Sequence, residues 1–213
     1  PVGLPSPRRY LQFRTTMESA SILDGIRIDD LDLEIASPPL AQGLVGEISL
    51  LDTPAPQNGF AEVPAGKFVP FAYDLRANLS NADLGFDALQ IFTSTTPRFE
   101  KLLIGPNENN LDEVEPDSVK ATADGLTLFF PSNRITSTTS LRVIFDAQLL
   151  GQSTFFNGQI FAIQGKELPQ PVLPANANQQ VTTDNLQVLT LAKSRRNILP
   201  FLEIDPPVIS PNG

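Results

Sequence analysis

The sequence contains no cysteine, no histidine and no tryptophan among its 213 residues. Without cysteine, the chain has no disulfide frame, no thiolate nucleophile and no thiolate-ligated zinc or iron–sulfur site. Without histidine, it lacks the usual general base at neutral pH and the commonest transition-metal ligand. Ser–His–Asp and Cys–His catalysis are therefore excluded. Acid–base chemistry by paired carboxylates stays chemically open, but no pattern marks a cleft for it, and we predict that the chain is not an enzyme.

Long apolar runs and helical periodicity are also missing. No apolar run approaches the roughly 18 residues that a membrane helix needs, so we predict no membrane-spanning segment. No segment repeats its apolar residues with the 3.6-residue period of a helix. The 24 acidic residues outnumber the 15 basic ones and give a formal net charge of −9. This charge disfavours nucleic-acid binding. We expect no cofactor, with Ca²⁺ as the one ion that acidic loops would attract.

The chain is instead rich in short alternations of polar and apolar residues, separated by many of its 20 prolines. Such alternation predicts antiparallel strands that each bury one face. Asp124-Gly125 predicts a tight hairpin and Asn157-Gly158 a second one, whereas the polar residues 107–115 predict a loop. We expect roughly ten to thirteen strands and negligible helix, with the clearest strands at residues 10–14, 26–35, 44–51, 69–75, 89–91, 99–104, 119–121, 126–130, 141–149, 186–191 and 201–204.

The domain organisation is predicted from a turn-rich stretch at residues 52–66, which contains Pro54, Pro56 and Pro64. We predict closing strands of an N-terminal β module over residues 1–50, a β-sandwich over 51–204 and a linker into a following module over 205–213. The alternative is a long loop within one domain. We interpret both ends of the chain, at Pro1 and Gly213, as cuts within a longer polypeptide.

Three stretches carry resemblances to known modules. Residues 205–213, Asp-Pro-Pro-Val-Ile-Ser-Pro-Asn-Gly, resemble the opening S/T-P-N-G-D-G of Ig-like modules at the C-terminus of many secreted bacterial proteins, which are similar to the hook-capping Ig-like domain of flagella. Residues 69–75, 85–91 and 141–147 resemble strands of the Ig-like or cohesin-like sandwiches that precede such modules. Residues 9–14, Arg-Tyr-Leu-Gln-Phe-Arg, followed by Leu23-Asp-Gly-Ile, resemble the closing strands of a discoidin-type jelly roll.

These resemblances imply an all-β fold: an antiparallel β-sandwich of Ig-like or jelly-roll-like type, with a few strands of a second β module at the N-terminus. They imply an extracellular or cell-surface location. The function that we expect is that of a structural or assembly module, such as a filament, sheath or surface-layer subunit. Its partners would be further copies in a homo-oligomer or polymer, and neighbouring domains of the same polypeptide. The alternative is an adhesive or carbohydrate-binding module, although the absence of tryptophan counts against it.

Two groups of residues are candidate sites. Asn107, Asn109, Asp112 and Glu113 offer the oxygen ligands that Ca²⁺ prefers, although they lack the spacing of a known calcium loop; the alternative is a solvated loop. The basic cluster Lys193, Arg195 and Arg196 would bind an acidic partner, such as the acidic face of a neighbouring copy; the alternative is a solvated strand end.

Overall fold

The computed structural model describes residues 38–165, 167–183 and 186–191, together with Thr16. The chain divides into two compact units, Pro1–Pro38 and Pro39–Gly213, and nearly all of the described residues belong to the second. Several predictions fall outside the described residues: the strands at 10–14, 26–35 and 201–204, the basic cluster of Lys193, Arg195 and Arg196, and the motif at 205–213.

Within the described residues the chain forms 14 strands and one turn of 3₁₀ helix, Pro131–Asn133, which confirms the all-β prediction. Among the residues that the structure describes, no helix is long and apolar enough to cross a membrane. The strands are β1 (Gly43–Leu50), β2 (Ala61–Pro64), β3 (Phe68–Asn78), β4 (Ala88–Phe92), β5 (Arg98–Asn107), β6 (Asn110–Val114), β7 (Ser118–Thr122), β8 (Gly125–Phe129), β9 (Thr139–Gln148), β10 (Ser153–Phe155), β11 (Gly158–Phe161), β12 (Gln170–Pro171), β13 (Leu173–Pro174) and β14 (Gln187–Leu191).

The strands form two large sheets and one small one. The six-stranded sheet has the order β13-β1-β3-β9-β5-β6, and the five-stranded sheet has the order β12-β11-β4-β8-β7. A three-stranded sheet, β10-β14-β2, accompanies them. All pairings are antiparallel except β1 with β13 and β14 with β2. The two large sheets bury their inner faces in one shared core, which is the arrangement of a β-sandwich.

The core follows from the period-two pattern of the strands. β3 and β9 pair from Phe68↔Gln148 to Ala77↔Thr139, so their alternate apolar residues lie on one face of the sheet. Phe71, Phe145 and Phe156 form an aromatic cluster with ring centroids 5.1–6.0 Å apart. The five-stranded sheet contributes buried residues of the same kind, including Leu89, Ile91, Leu126 and Leu128. Each buried side chain of this size stabilises the fold by about 1.5–3 kcal/mol.

The first described strand belongs to this sandwich and not to an N-terminal module. β1 pairs with β3 over eight positions, from Gly43↔Asn78 to Leu50↔Phe71. A boundary at residues 50 and 51 would separate two strands that are hydrogen-bonded along their whole shared length. The structure therefore places β1 in the unit that begins at Pro39, and residues 51–60 form a loop between two strands of that unit.

Two of the three turn predictions need correction. The β7–β8 hairpin is confirmed, but its two-residue loop is Ala123-Asp124, with Gly125 as the first residue of β8. Asn157-Gly158 does not form a hairpin, because β10 pairs with β14 whereas β11 pairs with β4 in another sheet. Residues 107–115 are not a loop either: β5 and β6 form a hairpin closed at Asn107↔Asn110.

Candidate functional site

The two lateral sides of the sandwich differ in how their edges are protected. On one side β12 and β13 are the last strands of the two sheets, and only Val172 separates them in the chain. Val172 N donates to Gly158 O at 2.9 Å and Ala175 N to Gly46 O at 3.1 Å. We call Gln170–Pro174 the proline clip. It is short and carries Pro171 and Pro174, two properties that prevent further strands from pairing with an edge.

The opposite lateral side is the free side. Here β6 and β7 are the last strands of the six-stranded and five-stranded sheets, and residues 115–117 join them. Among the described residues, β6 pairs with β5 alone and β7 pairs with β8 alone. Each therefore presents one row of backbone N–H and C=O groups to its surroundings.

β7 has the properties of a strand that can accept another strand. Thr122 and Gly125 flank the two-residue loop and form a hydrogen-bonded pair. Hydrogen-bonded and non-hydrogen-bonded pairs alternate along an antiparallel ladder, so Ala121 and Val119 belong to non-hydrogen-bonded pairs. The N–H groups of Val119 and Ala121 therefore point away from β8. Their side chains lie opposite Leu128 and Leu126, on the inner face of the sheet, yet Val119 is 39% exposed and Ala121 is exposed too. An added strand would cover these apolar side chains.

Asp117 fixes the start of β7. Its carboxylate accepts a hydrogen bond from Ser132 Oγ at 2.5 Å and from Ser132 N at 2.9 Å. These bonds lower the pKa of Asp117 below its ordinary value, because they stabilise the ionised form. The 3₁₀ turn that contains Ser132 thus fixes the residue that precedes β7, and we infer that this edge is preorganised for pairing.

The outer face of the five-stranded sheet carries a row of amides. Gln159, Gln90 and Thr127 lie side by side on β11, β4 and β8, and Gln159 Nε2 donates to Gln90 Oε1 at 2.7 Å. The rings of Phe129 and Phe161 lie on the same face, edge to face at 6.0 Å. We call this arrangement the amide row. Amides beside aromatic rings can bind polar, flat ligands.

The outer face of the six-stranded sheet carries a buried charged row. Glu47 on β1 lies directly opposite Asp74 on β3, which lies opposite Arg142 on β9. Glu47 and Asp74 are only 1% and 3% exposed. Arg142 binds Asp74 through Nε to Oδ1 at 2.8 Å and Nη2 to Oδ2 at 3.3 Å. The guanidinium therefore pairs with Asp74, the central residue of the row.

Residues 175–183, the covering segment, lie over this charged row. Ala177 N and Asn178 N donate to Glu47 Oε2 at 3.2 and 3.4 Å. Thr183 Oγ1 donates to the carbonyl of Ile48. Ala177, Asn178 and Val181 of the segment are almost completely buried. The segment therefore removes the two carboxyl groups from water.

Burial sets the protonation of this pair. It raises the pKa of Glu47 from 4.5 to about 7, the two backbone N–H donors oppose that rise, and the Asp74 charge adds to it. Burial also raises the pKa of Asp74, and the hydrogen bonds and charge of Arg142 offset part of that rise. The Asn178 amide makes a further small opposing contribution, although Nδ2 has no partner in hydrogen-bonding geometry. The row thus favours holding a proton near neutral pH.

The residues of the calcium hypothesis do not converge. Asn107 Oδ1 accepts a hydrogen bond from Asn109 N, and Asn109 Oδ1 accepts one from Gln180 Nε2. Glu113 pairs with Lys101 at 2.8 Å, and Asp112, as its neighbour in β6, points to the other face of the sheet. Within the described residues no three His, Cys, Asp or Glu side chains form a group that could hold a metal ion. The calcium site stays a prediction from the sequence.

No protein-family model matches the chain, and no curated protein matches it either. Among solved structures, it is similar to the pilus backbone protein RrgB of Streptococcus pneumoniae, with 11% identity and a TM-score of 0.37 over 55% of this chain and 31% of that one. It is similar to the N-terminal domain of the Streptococcus gordonii adhesin Sgo0707, with 11% identity and a TM-score of 0.46 over 72% and 34%. A non-cellulosomal cohesin of Archaeoglobus fulgidus shares 19% identity, with a TM-score of 0.32 over 70% and 92%.

The matched region spans about a third of the pilus and adhesin chains and most of the cohesin.

Proposed function

We propose that this protein is a non-enzymatic structural module of an extracellular or cell-surface assembly, joined to its neighbours by strand pairing at β7. The observation that carries this proposal is the exposure of Val119 and Ala121 on an edge strand beside whose outward N–H groups no strand lies within the part of the chain that the structure describes. Main-chain hydrogen bonds to an added strand supply affinity, and the covered side chains supply specificity.

The charge of the free side supports a basic partner strand. Between residues 108 and 117 the sequence has Glu108, Asp112, Glu113, Glu115 and Asp117 and no basic residue. Two such sides would repel each other, which disfavours pairing of β6 with β6. The segment around Lys193, Arg195 and Arg196 of a second copy has the complementary charge, so we propose this segment as the donor.

Electron microscopy and sedimentation of the purified full chain test this proposal. We expect ordered polymers or concentration-dependent oligomers. Ala121→Pro removes an outward N–H without touching the ladder to β8, so it should leave the fold intact and give dispersed monomers. Ala121→Ser keeps the N–H and is the matched control that should still assemble. A wild-type chain that stays monomeric at all concentrations, or an Ala121→Pro chain that assembles as well as Ala121→Ser, would contradict the proposal.

Charge reversal at the basic cluster tests the proposed donor separately. The variant Lys193→Glu, Arg195→Glu, Arg196→Glu should lose assembly. Reversal of two exposed basic residues outside β6 and β7, Lys67→Glu and Arg98→Glu, should reduce it much less. If the triple variant still assembles while Ala121→Pro blocks assembly, strand pairing at β7 stands and the donor is a different segment.

The amide row favours a second candidate function, an adhesive or carbohydrate-binding module. Gln90 and Gln159 offer donors and acceptors beside the rings of Phe129 and Phe161, and sugar rings bind such surfaces through hydrogen bonds and ring contacts. A glycan array probed with the wild-type chain, with Gln90→Ala/Gln159→Ala and with the exposed control Gln57→Ala tests this function. Binding that is lost in the double variant alone would support it.

A further inference from the structure

The covering segment is attached to the sheet at one titratable point and several that do not titrate. The titratable point is Glu47, which accepts the N–H groups of Ala177 and Asn178. The others are Thr183 to the Ile48 carbonyl, Thr182 N to the Pro54 carbonyl at 3.0 Å, and Gln180 Nε2 to Asn109 Oδ1 at 2.9 Å. These latter contacts set a pH-independent part of the closing free energy.

The charged groups that face Glu47 are few. Asp74 lies directly opposite on β3, and Arg142 on β9 holds Asp74. Arg76, also on β3, donates from Nη2 to the Asn176 carbonyl of the covering segment at 3.1 Å. Glu108 acts on the row through its charge on Asp74. With both carboxyl groups ionised, Arg142 neutralises Asp74, no described basic side chain forms an ion pair with Glu47, and the closed segment would bury an excess negative charge.

We propose that the covering segment is a proton-dependent cover, closed over the sheet while Glu47 is protonated and released when Glu47 and Asp74 are both ionised. Release returns the Glu47 carboxylate to water and removes the cost of its burial. It also exposes an acidic strip formed by Glu47 and Asp74 on the outer face of the six-stranded sheet. This inference is independent of strand pairing at β7.

The size of the effect follows from linkage. Closed, Glu47 has a pKa of about 7; released, it returns to about 4.5. The equilibrium constant for opening of the covering segment then rises roughly 50- to 100-fold between pH 5 and pH 8. Since the remaining contacts do not titrate in this range, they shift the absolute level of opening but not its pH dependence.

Hydrogen–deuterium exchange of the full chain between pH 5 and pH 8, corrected for the intrinsic exchange rate, measures this opening. We expect the protection of Ala177 and Asn178 to fall roughly 50- to 100-fold over this range, while β3 and β9 keep theirs. Glu47→Gln keeps an acceptor for both N–H groups and cannot ionise, so its protection should be constant. Glu62→Gln, an exposed position on β2, should behave like the wild type.

Constant protection in the wild type, or a wild-type pH dependence in Glu47→Gln, would overturn the proposal. A carboxyl-carbon NMR titration of the wild-type protein provides a readout that needs no variant. A midpoint near 7 for Glu47 supports the cover, and a midpoint near 4.5 contradicts it.

Discussion

Arg142 holds the buried Asp74 carboxylate with two hydrogen bonds, from Nε at 2.8 Å and from Nη2 at 3.3 Å. The pair spans the two central strands of the six-stranded sheet, β3 and β9. Asp74 is almost fully buried, whereas the Arg142 side chain is 24% exposed. The arginine therefore keeps part of its hydration while it neutralises a carboxylate that has almost none.

Replacing Arg142 leaves that carboxylate without a counter-charge. We expect Arg142→Met to lower the free energy of unfolding by about 3 kcal/mol at pH 8, because an unpaired buried charge is strongly destabilising. Urea unfolding measures the change. The control is Arg98→Met, which removes only an exposed guanidinium 4.0 Å above the Phe68 ring and should cost less than about 1 kcal/mol. Equal losses in the two variants would show that the Arg142 pair has no special role.

The raised pKa of Glu47, about 7 against an ordinary 4.5, predicts the pH dependence of global stability. The folded state binds the proton more tightly than the unfolded state. The stabilisation is therefore complete below about pH 4.5 and is lost as the pH rises through 7. Asp74, also raised, acts in the same direction. The lowered pKa of Asp117 acts in the opposite direction, but its contribution is already complete at pH 5.

We therefore expect urea midpoints to be higher at pH 5 than at pH 8, and Glu47→Gln to reduce that difference. A wild-type protein that is more stable at pH 8 would show that Glu47 is ionised in the folded state.

The Tyr73 hydroxyl is buried in the core without a hydrogen-bond partner, and burial raises its pKa above the ordinary value. A buried unpaired hydroxyl destabilises the fold. We expect Tyr73→Phe to leave the free energy of unfolding unchanged or to increase it by up to about 1 kcal/mol. Phe71→Leu, a neighbouring core position in the aromatic cluster, should instead lower it by about 1 kcal/mol or more. A clear loss in Tyr73→Phe would mean that the hydroxyl has a partner, such as a buried water.

Gly105 permits the close approach of β6 to β5. A Cβ atom there would lie 1.8 Å from the Asn110 carbonyl oxygen, beside the irregularity between Ile104 and Asn107. Backbone atoms cannot move aside as a flexible side chain can, so we expect Gly105→Ala to cost at least about 2 kcal/mol. The control is Gly43→Ala, whose Cβ would meet only the Asn78 side chain, at 3.3 Å. Calorimetry of both variants measures the difference.

The strands with one apolar face were predictable because burial of every second residue appears in the sequence as an alternation of apolar and polar residues. Leu141, Val143 and Phe145 alternate with polar or less buried residues and form the inner face of β9. The hairpin before Gly125 was predictable for a similar reason, since a tight turn needs residues that tolerate unusual backbone angles. The Asn157-Gly158 prediction was wrong because the same dipeptide also suits a crossover between two sheets.

The buried charged row was not predictable from alternation alone. Glu47 and Asp74 lie at the polar positions of their strands, which normally face water. Their burial depends on the covering segment, about 130 residues later in the chain than Glu47. No local sequence pattern predicts a contact between residues so far apart in the chain. The one available signal was a single carboxylate within each of two largely apolar strands, Glu47 in β1 and Asp74 in β3.

The proline clip limits the stoichiometry of any assembly. Because Gln170–Pro174 occupies one lateral side, the two large sheets, as far as the structure describes them, can add strands on the opposite lateral side alone. Copies that met flank to flank through β7 alone would stop growing as closed pairs. Unlimited growth needs a donor strand from beyond the sandwich, so the length of a fibre would depend on the chain that flanks this unit.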